Sequence, residues 1–207
     1  ICSYWVTFGF HDGIKNSGDE LLGSVFYYAA ALAMVDLYTA IGDTVNAALF
    51  AADAALIAAN IDTLWDATSG MYLAATGLNN QIDINGSAIA SYFNLASAPK
   101  KTAIATYLSD NYNWLFNSNG YVRQSPKQWA SVWGPTIYDD YMWSWGNYYV
   151  LKALAVGDPG LAEALAFRLA TGDNTKEYQI ANIPVGAANN LESTTAAIRY
   201  LDEALAA

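Results

Sequence analysis

The chain has 207 residues, enough for one domain with a sizeable core, and 14% of them are charged against roughly 25% in an average soluble domain. Net charge is −10, with nine Lys and Arg spread thinly, so no basic stripe exists to neutralise nucleic-acid phosphates or to attract anionic lipid. Cys2 is the only cysteine and His11 the only histidine, which excludes an internal disulfide, cysteine-based metal sites and two-histidine zinc motifs; no cofactor is expected.

Neutral or weakly cationic ligands remain. A Ser–His–Asp relay would have to pass through His11, and no Gly-x-Ser-x-Gly elbow accompanies it. The start, Ile1-Cys2-Ser3-Tyr4-Trp5, lacks an initiator Met and a charged leader, and reads as a chain entered midway. Enrichment in Trp, Tyr and Asn leans towards an extracellular or periplasmic protein.

Residues 19–41 carry Leu22, Val25, Phe26, Ala29, Ala33, Leu37 and Ile41 at helical spacing. The run from Val25 to Val35 is apolar on nearly every face, which predicts a helix enclosed on several sides. That run stops at Asp36, short of the ~20 residues that span a bilayer, so a core helix is expected and not a membrane segment. Gly42-Asp43-Thr44 ends this helix and caps a second one over 45–65, making an αα-hairpin. Trp65 falls at its end and is expected in the core. Ser69-Gly70 marks a turn before a short extended run at Met71 to Leu73.

A polar loop over 79–85 precedes a helix at about 86–96, and Pro99 opens another near 99–113, followed by Trp114, again expected in the core. Tyr121 to Arg123 reads as extended, and 124–138 as a long irregular loop of the kind that more often carries function. Tyr141 to Val156 is expected to be helical. Gly157-Asp158-Pro159 repeats the turn signal ahead of a helix over 160–171, and a loop from Gly172 to Asn189 leads to a last helix from Leu191 to Ala206. The pattern predicts an all-α domain over 1–207, or the C-terminal part of one. It would have about seven helices paired into unequal hairpins, an α/α toroid in the form of a partial (α/α)6 barrel. Regular 33- or 34-residue arrays fit poorly.

Four junctions repeat along this chain. Each runs from a polar loop into an apolar helix and carries a carboxylate or amide at the helix start: Asn16 to Glu20, Asp83-Ile84-Asn85-Gly86-Ser87, Tyr138 to Tyr141, and Asn189 to Ser193. Helices packed side by side would gather these acids, amides and nearby indoles around one mouth suited to a carbohydrate.

Several of these segments resemble the six-hairpin glycosidases, and among them the α-L-rhamnosidase-like catalytic domains. The resemblance rests on Asn16-Ser17-Gly18 through the paired Tyr27-Tyr28 to Ala33, then Ile41-Gly42-Asp43, then Leu64-Trp65-Asp66 with Gly70-Met71-Tyr72. The run from Asp83 to Ala90, followed by Leu95-Ala96-Ser97, is similar to the next inner helix of the group. It covers roughly Trp5 to Leu115 and continues more loosely to Ala166. It implies a glycoside hydrolase acting on an oligosaccharide. A complete barrel has twelve helices, so it also implies that further helices come from the remainder of a longer chain or from a homo-oligomer.

Glycoside hydrolysis uses two carboxyl groups, one an acid for the leaving oxygen and one a base or nucleophile. Asp12 beside His11 is a loop carboxylate near Trp5, readable as an acid, as an acceptor for sugar hydroxyls, or as a turn residue before Gly13. Asp19 and Glu20 read as catalytic or as acids that stabilise the following helix through its dipole. Asp139 and Asp140, among Tyr138, Tyr141, Trp143 and Trp145, form the strongest site signal, with a helix cap as the other reading. Glu192 opens the last helix after an amide-rich loop; it reads as an acid of the helix's first turn or, at a place where the resemblance implies a carboxylate, as a catalytic one. Trp5, His11, Trp129, Trp133, Tyr138 and Trp143 are the candidate substrate-binding side chains, indole offering a flat apolar plate with one N–H donor. A non-catalytic carbohydrate-binding or interaction module on the same hairpins is the alternative. Asn85-Gly86-Ser87 matches a glycosylation acceptor, but its place at a helix start argues for a structural role.

Overall fold

The computed structural model describes residues 2–6, 16–77, 80–123, 141–143, 146–171, 178–180, 183–185 and 192–205. Two long antiparallel helices begin it, α1 (Leu21–Ala40) and α2 (Thr44–Asn60), joined where Gly42 adopts a φ of +78° and the Asp43 carboxylate accepts the Asn46 N–H at 3.0 Å. A 3-10 turn, Ile61–Leu64, ends the hairpin. The second pair is α3 (Ile84–Tyr92) and α4 (Ala98–Asp110), the latter with Pro99 in its first turn, followed by the single turn α5 (Tyr112–Leu115). The third pair is α6 (Asn147–Ala155) and α7 (Pro159–Thr171), and α8 (Glu192–Leu205) comes last.

Alternate helices form one layer. α3 packs against both α1 and α6, and α6 packs against α8, while α2, α4 and α7 lie outside them. This is an arc of an α/α toroid, with α1, α3, α6 and α8 as its inner helices. Its core includes Leu21, Val25, Ile84, Ile89, Ile104, Leu108, Leu151, Leu154, Leu165 and Leu169, all at 0% exposure.

Small sheets decorate the helices. β1 (Cys2–Val6) pairs antiparallel with β2 (Asn16–Asp19), and β3 (Trp65–Asp66) with β4 (Met71–Tyr72). Four strands form an antiparallel sheet in chain order: β5 (Val122–Arg123), β6 (Tyr141–Trp143), β7 (Tyr178–Ile180) and β8 (Ile183–Val185).

Four expectations are corrected. Tyr141 to Trp143 is strand, not the start of a helix, because Tyr, Met and Trp pair on both edges with β5 and β7; the helix waits for Gly146. Part of the predicted loop from 172 to 189 forms the β7–β8 hairpin. Third, α1 is not enclosed on several sides. Its 20 residues reach ~30 Å, whereas the 9 residues of α3 reach ~14 Å, so beyond Ala31 its chief companion is α2. Leu37 is consequently 53% exposed. Trp114 likewise stands outside the core, half-exposed beneath the Arg123 guanidinium, whereas Trp65 packs edge-on against buried Tyr72.

Candidate functional site

The starts of three inner helices meet. β2 delivers the chain to Glu20, which bridges Ala75, while the Leu21 N–H donates to the Ala74 carbonyl at 2.9 Å. Glu20 occupies the cap position of α1 in an extended conformation, but its side chain makes no capping bond. Its carboxylate is turned inward and is 1% exposed. Neighbouring side chains along extended backbone point to opposite faces, and Asp19 is exposed, lining an outer cleft with Leu56, Asn60 and Thr63 at the end of α2. The two adjacent acids therefore serve different surfaces.

Asp83 caps α3, its carboxylate accepting the Gly86 N–H at 2.8 Å, as a short polar side chain at this position should. A Cβ on Gly86 would lie 2.5 Å from Asp83 Oδ2 and 2.6 Å from Leu21 Cδ2, so this glycine is the contact through which the start of α3 meets the start of α1. Asp83 is fully buried. Burial pushes its carboxyl up to about 7 against the opposing backbone N–H bonds from Gly86 and Asn85, and the nearby Glu20 charge adds to the rise. A helix start ordinarily favours the ionised form; here desolvation prevails.

Asn85 and Asn147 complete the cluster. Both are 0% exposed. Among the described residues, neither amide atom of Asn85 has a hydrogen-bond partner, and the Oδ1 of Asn147 has none, while its Nδ2 donates to the Gly120 carbonyl at 3.5 Å. Gly146, at the start of α6, has a φ of +77° and would place a Cβ 2.9 Å from Asn85 Oδ1, which joins the starts of α3 and α6. Leaving a buried amide unbonded costs about 1–3 kcal/mol per group, so such groups need a reason beyond folding. Ser87, by contrast, is satisfied: its hydroxyl accepts the Tyr72 N–H at 3.0 Å.

The described residues place only some of the sequence-derived candidates. Glu20 joins the cluster; Asp19 does not. Trp5 lies in β1, at the irregularity between the Tyr4–Ser17 and Val6–Asn16 pairs, on the strand alongside the approach to α1. Trp143 lies in β6, paired with Val122 and Tyr178, and Glu192 is the first residue of α8. His11, Asp12, Trp129, Trp133, Tyr138, Asp139 and Asp140 lie outside the described residues, as do loop 124–138 and Trp145. Asp139 and Asp140 precede a strand, so their reading as a helix cap is withdrawn. Asp83 belongs to one of the four polar junctions but not to the candidate catalytic residues of the sequence. The apolar, small-residue helix behind it marks a buried helix, but does not reveal that its capping carboxylate would lose solvent as well. Among the described residues, no group of three or more His, Cys, Asp and Glu comes together as a metal site.

No family model matches the chain, and no curated protein matches it either. Solved structures do. A sialidase aligns over 93% of this chain and 19% of its own, with a TM-score of 0.62 at 14% identity. The GH63 mannosylglycerate hydrolase from Thermus thermophilus aligns in its complex with Tris and D-glycerate over 87% of this chain and 45% of its own (TM-score 0.56, 16% identity). Its complex with glucose aligns over 87% and 47% (TM-score 0.57, 14% identity). The chain thus spans less than half the length of each of these proteins, and what it shares with them is an α/α-toroid fold.

Proposed function

We propose that this chain contributes the carboxylate site of a glycoside hydrolase that cleaves a glycosidic bond in an oligosaccharide by acid/base catalysis. The observation that carries the reading is the meeting of Glu20, Asp83, Asn85 and Asn147 at the starts of three inner helices. Asp83, holding its proton near neutral pH, is the group suited to protonate the leaving glycosidic oxygen, and the Glu20 charge beside it keeps that proton in place. A second carboxylate takes a proton from water or attacks the anomeric carbon; Asp139, Asp140 and Glu192 are the candidates for that role, with Asp12 as a lesser one, while Asp19 faces the outer cleft and is set aside. The amides of Asn85 and Asn147 provide donors and acceptors for sugar hydroxyls, and Trp5, His11, Trp129, Trp133, Tyr138 and Trp143 are the candidates, by residue type, for binding the sugar. Sequence resemblance favours an α-L-rhamnoside; the solved complexes of similar folds with glucose and D-glycerate support a small polyol or sugar ligand.

The test is release of reducing sugar from oligosaccharides, and of the chromophore from aryl α-L-rhamnosides, by Glu20→Gln, Asp83→Asn, Asp139→Asn, Asp140→Asn and Glu192→Gln. Loss of about 10²-fold or more is expected in Asp83→Asn and in at least one of the last three. Unchanged release in all five would remove the assignment.

A second reading is a carbohydrate-binding module without catalysis. It is favoured by the near-complete burial of Glu20, Asp83, Asn85 and Asn147, which suits a rigid polar floor. Saccharide binding by calorimetry with no bond cleavage would select it.

A further inference from the structure

The outward face of α2 is apolar in a way that the outward face of α4 is not. On α2, Val45, Leu49, Ala52, Leu56 and Ala59 are all exposed, the three large ones at 71%, 61% and 65%. They recur at steps of four, three, four and three residues, the spacing of a coiled-coil seam. The side facing α1 is separate: Ala54 is buried there, Phe50 stacks on Tyr38 with ring centroids 5.6 Å apart, and Asp53 accepts the Tyr27 hydroxyl at 2.5 Å. The corresponding exposed positions of α4 are Thr102, Thr106 and Asp110. Solvent explains the face of α4. It does not explain that of α2.

We infer that this stripe is a docking surface for a second copy of the chain, α2 lying antiparallel on α2. Two features select that occupant. The stripe is self-complementary about Ala52. A two-fold axis there sets Ala52 against Ala52 and Val45 against Ala59, and brings Leu49 within one residue of Leu56. Each large side chain of the pair then has a matching place, and the two small residues let the backbones approach. It is also where two chains of net charge −10 can meet, because α2 carries a single charge, Asp53, already engaged by Tyr27 on the other side. A seam of five residues on one helix is narrower than a standard interface of ~800 Å² per partner, so a weak, concentration-dependent dimer is expected. Both helices of the hairpin are long and apolar enough to cross a membrane by length and composition alone. Yet the hairpin holds no Lys or Arg to anchor lipid headgroups, and the seam spacing answers a helix better than it answers acyl chains.

Sedimentation velocity of the full chain across the micromolar range tests this. A concentration-dependent dimer is expected, weakened on the order of tenfold or more by Leu49→Asp or Leu56→Asp and unmoved by Thr102→Asp with Thr106→Asp. Ala52→Cys in a Cys2→Ser background, which leaves the stripe intact, should form an intermolecular disulfide under mild oxidation. A monomer at every concentration overturns the inference, as does a dimer indifferent to Leu49 and Leu56, an Ala52→Cys variant that does not cross-link, or a chain that floats with neutral phosphatidylcholine vesicles without dimerising.

Discussion

Asp83 and Glu203 are carboxyl groups displaced in opposite directions, and they leave opposite marks on stability. Asp83, raised to about 7, keeps its proton in the folded chain at pH values where the unfolded chain has lost it. Between roughly pH 4 and 7 the folded state therefore binds more protons, and stability falls as pH rises, by about 1.4 kcal/mol per unit from this group at most. Urea unfolding at a series of pH values should show that slope, and Asp83→Asn should flatten it. Removing the neighbouring charge in Glu20→Gln should lower the Asp83 pKa, read from the carboxyl carbon shift by NMR. Glu203 is held down to about 2, first by Lys152, then by the Tyr148 hydroxyl and Arg199. Its contribution is present above the ordinary carboxylate value and is lost as pH falls from roughly 4.5 towards 2. Glu203→Gln should remove the stability change in that acid window and leave the Asp83 window alone.

Helix junctions were legible in uneven measure. The turn at Gly42-Asp43 is written in adjacent residues, and so are the proline starts of α4 and α7, because caps and turns depend on neighbours a few positions away. The start of α6 was not. Tyr141 to Trp143 has the composition of either a strand or an aromatic helix, and only pairing with Val122–Arg123 and Tyr178–Ile180 settles it. Two glycines separate backbone demand from packing demand. Both have positive φ, but a Cβ on Gly42 meets nothing within 4 Å, whereas one on Gly146 meets Asn85 at 2.9 Å. Gly42→Ala should cost about 1 kcal/mol and Gly146→Ala about 2–4 kcal/mol, compared by denaturant unfolding. A Gly146→Ala variant as stable as Gly42→Ala would mean that the α3–α6 contact is loose.

Across the whole molecule, burial is uneven between helices of similar composition. α3 is buried at every position from Ile84 to Ser91, while the later turns of α1 are largely exposed. Amide hydrogen exchange should therefore be much slower over 84–91 than over 32–40, the latter opening with its hairpin. Truncating a side chain within the buried set should reach further: Ile89→Ala is expected to cost about 2–5 kcal/mol by urea unfolding. Equal exchange rates in the two helices would point to cover on α1 that the monomer lacks, and the concentration dependence of those rates would identify it.

Alone, the sequence determined the helical hairpins, their turns, the acidic and cysteine-poor surface, and the recurrence of polar groups at helix starts. Each of these follows from periodicity, capping chemistry or composition, which act over a few residues or over the chain as a sum. Only the tertiary structure decided that Glu20 turns inward while Asp19 turns out, that Asp83 loses its solvent, that Asn85 stands against the start of α6, and that α1 outruns its inner neighbour. Burial and electrostatic coupling are set by elements far apart along the chain, so no local pattern encodes which carboxylates end up sharing one dry corner.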